Sequence, residues 1–238
     1  MAKNWGKEDN SSTAEKAALR IKNITEDAHV LDLFCGTGKM YQGAYKNRAA
    51  KYYGVDKEKI HSKELCTLSD NIQFVLSNNI LEYNVFDLDD YGTPWKLLYL
   101  IMQKTTQPEL TFFITDGLVM HQKVDGTVTK FVSATEKLPK KFNIPGLNRW
   151  YEDIFMTMLL DIEKRYDYHV TKAECFHNQR RSVYYWCVKL EKTETKEVNV
   201  HSDAGQPETK NNKNNPVMST KTARKHKKST NTAMRRSV

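Results

Sequence analysis

Apolar and polar positions follow two rhythms along the chain, a period near 3.6 and short continuous apolar runs. Ser12-Thr13-Ala14-Glu15 has capping-box spacing and predicts a helix to about Asn23. Residues 30–34 and 52–55 are apolar runs that predict the first two strands, with an amphipathic helix over 39–48 between them. Residues 57–68 read as a helix. Residues 71–76 read as strand three, with Ser77-Asn78-Asn79 at its carboxyl end, and residues 83–88 as a short fourth strand. Pro94 and Trp95 open a helix through Met102, proline being suited to a first turn. Residues 110–114 form strand five, which runs into Thr115-Asp116-Gly117.

The alternation then breaks. Residues 118–147 are polar and basic, and we expect a structured insertion over the active face. Helical periodicity returns over 149–165, with Ile154, Met158, Leu159 and Ile162 on one face. Residues 168–176 and 182–190 are strands six and seven, linked through Arg180 and Arg181. Strands alternating with helices, then a final hairpin, predict an α/β fold. Its sheet is mostly parallel and seven-stranded, with an antiparallel edge hairpin.

The segment Val30-Leu31-Asp32-Leu33-Phe34-Cys35-Gly36-Thr37-Gly38 carries the chemistry of the first half. It reads strand, glycine turn, helix, and the second strand then ends on Asp56. Glycines let a backbone approach a ligand closely, and a carboxylate can accept from both hydroxyls of a ribose. A dinucleotide loop would place a third glycine where Tyr41 stands. Asp32, just before the turn, would repel a pyrophosphate but can accept from an ammonium. This segment resembles the first motif of the class I S-adenosylmethionine-dependent methyltransferases. The resemblance implies a Rossmann-like fold and S-adenosyl-L-methionine as cofactor. In it Asp32 orders the loop near the methionine end, Phe34, Gly36 and Gly38 line the loop, and Asp56 holds the ribose. Ser77, Asn78 and Asn79 would meet adenine, with Asn78 and Asn79 favoured because an amide both donates and accepts.

A second stretch sits at the end of strand four: Asp87-Leu88-Asp89-Asp90-Tyr91-Gly92-Thr93-Pro94. Carboxylates, an aromatic ring and a tight turn suit transfer to an exocyclic amine, because a carboxylate can hold the amine with its lone pair in line. An aromatic ring can stack the base. Asp89 is the expected amine-orienting acid, Asp87 its rival, and Tyr91 the stacking platform. The stretch is similar to the D-[LIV]-D-P-[FY]-G-[ST]-P signature of the tRNA guanine-N2 dimethyltransferases. Phe113-Ile114-Thr115-Asp116 resembles that family's threonine–aspartate pair after strand five, and Gly146-Leu147-Asn148-Arg149 and Arg181 are looser echoes. The resemblance spans about residues 25–190. It implies methyl transfer to RNA, at guanine N2 of tRNA, with Gly92, Pro94, Asp116, Arg180 and Arg181 on the substrate side. Asp90 stands where that signature has proline, which loosens the turn and adds a negative charge. DNA adenine or cytosine amines are the alternative acceptors. A non-catalytic nucleic-acid-binding module on the same fold is the alternative class.

With 39% hydrophobic residues the chain can bury one sizeable core. Its formal charge of +8 favours an anionic partner such as nucleic acid. From residue 193 the periodicity stops, and no acid follows Glu208 while lysines and arginines accumulate. We expect a methyltransferase domain over 12–192, preceded by a flexible 1–11 and followed by a disordered basic tail over 193–238. No apolar run is long enough to span a bilayer and no signal core opens the chain, so no membrane partner is expected. The expected location is cytoplasmic, or nuclear if the tail is a targeting signal. Cys35, Cys66, Cys175 and Cys187 form no C-x-x-C pair, and His61, His121, His169 and His177 lack metal spacing, so no metal is expected.

Overall fold

The computed structural model describes residues 12–58, 60–90, 92–125, 128–129, 141–142 and 144–193. Helix α1 (Thr13–Asn23) leads into β1 (His29–Asp32), a π-helical turn (Tyr41–Tyr45) and β2 (Lys51–Asp56). Then come β3 (Cys66–Leu68), α2 (Asn71–Ser77), β4 (Val85–Asp89), α3 (Trp95–Lys104) and β5 (Glu109–Asp116). After α4 (Leu118–Asp125) a two-stranded ribbon pairs β6 (Val128–Thr129) with β7 (Lys141–Phe142). Helix α5 (Leu147–Tyr166) and the hairpin of β8 (Tyr168–His177) and β9 (Tyr184–Lys192) complete the fold. The seven-stranded sheet has the order β3-β2-β1-β4-β5-β9-β8. Every pairing from β3 to β5 is parallel, and β9 is antiparallel to both neighbours. The order reverses between β1 and β4, and ligands of open α/β sheets sit at such a crevice, beyond the carboxyl ends.

Successive side chains alternate across the sheet and divide the core in two. Leu31, Phe86, Leu88, Phe112 and Ile114 join Trp95, Tyr151 and Phe155 on the α2, α3 and α5 side. Val30, Val85 and Phe113 join Leu19, Ala44 and Tyr45 on the side of α1 and the π-helical turn.

Two expected elements are corrected. The described residues of 57–65 form no helix: the Ser62 hydroxyl accepts from the amides of Glu64 and Leu65, a local turn that competes with helix. The third strand is Cys66–Leu68, and Asn71–Ser77, read as that strand, is helix α2. Its Asp70 side chain accepts from the Gln73 amide at 3.0 Å, an N-cap that outweighs a short apolar alternation. The amphipathic 39–48 segment narrows to the π-helical turn, with Gly43 in its middle. Ser12 precedes α1 as expected, but its side chain makes no cap hydrogen bond. Of residues 118–147, the described part holds α4, the ribbon and the residues from Ile144 that lead into α5, while 126–127, 130–140 and 143 lie outside the described residues, as do residues 1–11 and the tail from 194 on. Among the described residues no helix is long and apolar enough to cross a membrane.

Candidate functional site

The loop after β1 is built by Asp32. Its carboxylate accepts from the Phe34 amide at 3.1 Å and from the Tyr52 hydroxyl at 2.9 Å. Burial, with the Asp87 carboxylate nearby, pushes the Asp32 carboxyl above the usual carboxylate range. Gly36 (φ +45°) and Gly38 (φ +77°) lie in the left-handed region that favours glycine. The Gly36 amide donates to Asp56 Oδ2 at 3.1 Å, so the glycine loop and the acid that ends β2 meet. A Cβ on Gly36 would stand 3.9 Å from that oxygen, an ordinary contact, so the left-handed backbone and not crowding is what calls for glycine there.

The carboxylates of β4 face α1. Asp87 is fully buried and receives Arg20 Nε and Nη2 at 2.6 Å each and the Tyr45 hydroxyl at 2.5 Å. This is a bidentate, charge-assisted pair that uses both of its oxygens. Asp87, the rival amine-orienting acid, is thus committed to α1. Asp89 receives Lys16 Nζ at 2.6 and 2.9 Å and the Thr115 hydroxyl at 2.5 Å. Burial would raise its carboxyl, but Lys16 and Arg20 overcome this and hold it below the ordinary value. Lys16 and Arg20 are one helical turn apart, about 6 Å, and their partners are two strand residues apart, about 6.7 Å, so the two ladders match. Sequence reasoning missed this role of α1. Its signal was the i, i+4 pair of cations on a helix that also buries Leu19 and Asn23.

Asp116 projects from the opposite face of the sheet. It accepts from Trp95 Nε1 at 2.7 Å and from the Leu118 amide at 2.8 Å, beside Tyr151. Burial pushes its carboxyl up to about 6. Gly92 accepts at its carbonyl from the Gly117 amide, and Pro94 occupies the N-cap position of α3. Tyr91 lies outside the described residues. Arg180 and Arg181 sit in the β8–β9 turn at the same end of the sheet, because Asp116 pairs with Tyr184. Arg181 donates from Nε to His177 at 3.0 Å.

Asn78 and Asn79 are corrected. They follow α2 rather than a strand, so the chain there has returned to the amino ends of the strands. The Asn78 carbonyl accepts from Lys104, at the end of α3, and Asn79 caps Leu81. The residues that follow β3 at the carboxyl end are instead Ser69 and Asp70, with the Ser69 amide donating to the Asp56 carbonyl at 2.9 Å. Leu68 beside them is 59% exposed.

The fold also gathers residues that spacing left apart. Cys35, His61 and Cys66 present ligand atoms within 4.8 Å of one another. Sequence spacing did not show this because the three come from separate segments.

No protein-family model matches the chain, and no curated protein matches it in sequence. Solved structures do resemble it. TYW2 of M. jannaschii, determined in complex with AdoMet, superposes with a TM-score of 0.50 at 14% identity, over 80% of each chain. A Streptococcus thermophilus protein described as a hemolysin candidate gives 0.51 at 13% identity, over 77% of this chain and 66% of its own. The fold is the Rossmann-like methyltransferase fold. At such identities the likeness is one of architecture.

Proposed function

We propose that this chain is an S-adenosylmethionine-dependent methyltransferase that acts on a base amine of RNA, with guanine N2 of tRNA as the leading acceptor. The observation that carries the reading is the meeting of the Gly36–Gly38 loop with Asp56 beside the β1–β4 switch point. The M. jannaschii neighbour, determined with AdoMet, supports the choice of cofactor. The acceptor rests on the resemblance of residues 87–94 and on the charge of +8.

The cofactor supplies an electrophilic methyl on a sulfonium. Asp56 accepts from the ribose hydroxyls, and Asp32, by fixing the Phe34 amide, keeps the loop in shape. The adenine falls to Leu68, Ser69 and Asp70, which take the place first given to Asn78 and Asn79. Asp89, held in orientation by Thr115, accepts an N–H of the acceptor amine as that amine exchanges with the Lys16 ammonium. With the lone pair so directed, the methyl of a bound cofactor would pass to the nitrogen in line as its bond to sulfur breaks to leave a thioether, and the proton lost from the amine would go to the Asp89 carboxylate. Tyr91 stacks the base and Gly92, Arg180 and Arg181 line the acceptor side, while the buried Pro94 and Asp116 hold the turns on which these residues stand, Asp116 through Trp95 and the Leu118 amide.

Lys16 also favours a second reading. Its ammonium occupies Asp89 as an acceptor amine would, which is what a non-catalytic nucleic-acid-binding module on this fold would need. Incubation with methyl-labelled S-adenosylmethionine and separate pools of tRNA, ribosomal RNA and unmodified DNA, followed by digestion to nucleosides, tests both. Label in N2-methylguanosine is the expected result. Label in a DNA base keeps the chemistry and overturns the acceptor. No label in any pool, with the cofactor still bound, favours the binding module.

A further inference from the structure

We infer that Cys35, His61 and Cys66 form a binding site for a thiophilic divalent ion, zinc in the cell, that pins the glycine loop to the β2–β3 connection. This inference does not depend on methyl transfer. Cys35 immediately precedes Gly36, His61 lies in the connection after β2, and Cys66 is the first residue of β3. Their ligand atoms lie within 4.8 Å of one another. Cys66 Sγ stands 3.4 Å from His61 Nδ1 and 3.7 Å from Nε2. Zinc bonds of about 2.3 Å to sulfur and 2.0–2.1 Å to nitrogen at a tetrahedral angle place those two atoms about 3.6 Å apart. The observed separations bracket that value, and because the sulfur lies nearly equidistant from both nitrogens, a turn of the imidazole is needed to aim one nitrogen's lone pair at a shared ion.

Two glycines make the room. A Cβ on Gly54 would lie 2.7 Å from Cys66 Sγ and 2.9 Å from Cys35 Sγ, so any other residue there would drive the two sulfurs away. A Cβ on Gly38 would lie 2.4 Å from His61 Cγ, so only glycine lets the imidazole settle against the loop. Tyr41 stacks on the same ring, centroid to centroid 5.0 Å, and limits its orientation. Both thiols are buried and His61 is half-exposed, which leaves an approach from solvent and a fourth position for water. The chemistry fits the ion class: two sulfurs and one imidazole select zinc over magnesium or calcium, which take oxygen ligands.

Co2+ is the probe, added to the full reduced chain. The expected result is one equivalent bound with an intense sulfur-to-cobalt charge-transfer band, which tail histidines cannot produce, and displacement of that band by Zn2+. Cys35→Ser and Cys66→Ser should each diminish the band, and Cys175→Ser should leave it unchanged. His61→Ala should weaken binding by more than the roughly 10–100-fold that loss of an outer partner of a ligand costs. In the unsubstituted chain Zn2+ should protect Cys35 and Cys66, but not Cys175, from alkylation, a readout that needs no variant to fold. Absence of the band at one equivalent, a band undiminished in Cys66→Ser, or alkylation of Cys35 and Cys66 unaffected by Zn2+ would each overturn the site.

Discussion

Trp95 donates its indole N–H to Asp116 at 2.7 Å, joining the first residue of α3 to the last residue of β5. Both side chains are buried on the α3–α5 face, whereas Asp87, Asp89 and Thr115 face α1. The acids at the carboxyl ends therefore form two groups on opposite sides of the sheet, with different environments.

The Asp116 carboxyl, raised to about 6 by burial, makes stability depend on pH. In the unfolded chain it would titrate near 3.9. Between the two values the folded protein binds more protons than the unfolded one, so stability falls as pH rises from about 4 to about 6. The span is on the order of 3 kcal/mol for this group. Denaturant unfolding of the parent and Asp116→Asn at pH 4, 5, 6 and 7 should show a difference that changes over this window. A difference constant with pH refutes the shift.

Arg20 is 2% exposed against a fully buried Asp87. Arg20→Ala leaves that carboxylate uncompensated and should cost about 3–5 kcal/mol. The double variant Arg20→Leu, Asp87→Leu should recover much of the loss, because no charge is then stranded. Equal losses in the single and double variants would show that packing, rather than the charge, sets the cost.

Asp89→Ala should lower methyl transfer by about 100-fold or more while leaving cofactor affinity unchanged, since the change misplaces the amine and not the cofactor. Lys16→Met should strengthen acceptor binding, because the amine no longer competes with an ammonium at 2.6 Å. Single-turnover rates and equilibrium dialysis with the cofactor separate the two effects. Transfer at the parental rate in Asp89→Ala would remove this residue from the site.

Gly38→Ala should destabilise the chain by at least about 1–2 kcal/mol, the penalty for a Cβ in left-handed backbone. The same Cβ meets the His61 ring, so the loop must also shift. Calorimetric titration with S-adenosylmethionine should show weaker binding as well as a lower melting temperature. Parental affinity would detach this glycine from the cofactor.

Removing residues 193–238 should reduce RNA affinity and flatten its dependence on salt, because fewer phosphates are then neutralised. Filter binding across a salt series measures the slope. An unchanged slope assigns RNA binding to the domain alone.

The outline of the fold was legible wherever an element carried its own signal. Residues 30–38 announced strand and glycine turn together, and the long periodic run of α5 and the two terminal strands left little ambiguity. Legibility failed where one polar side chain outweighed the apolar pattern. Asp70 turned an alternating run into α2, and Ser62 turned an amphipathic run into a loop. Once α2 was misread, Asn78 and Asn79 were carried to the wrong end of the sheet. The Lys16–Asp89 and Arg20–Asp87 pairs and the Cys35–His61–Cys66 grouping stayed hidden for another reason. The two ion pairs join α1 to β4 and depend on the crossing from β3 back to β4, while the grouping depends on the parallel stacking of β1, β2 and β3, and no local periodicity encodes either arrangement.

The Arg20–Asp87 pair also sets an order in time. The two residues are 67 positions apart, so α1 leaves the ribosome long before the strand that neutralises its guanidinium. Until β4 has joined β1, burying Arg20 would strand a charge, and the helix gains by staying in water. Docking of α1 is therefore expected among the last steps of folding. Pulse-labelled hydrogen exchange during refolding should find the amides of α1 protected after those of β1 and β4. Earlier protection of α1 would mean that its apolar face docks without the ion pair.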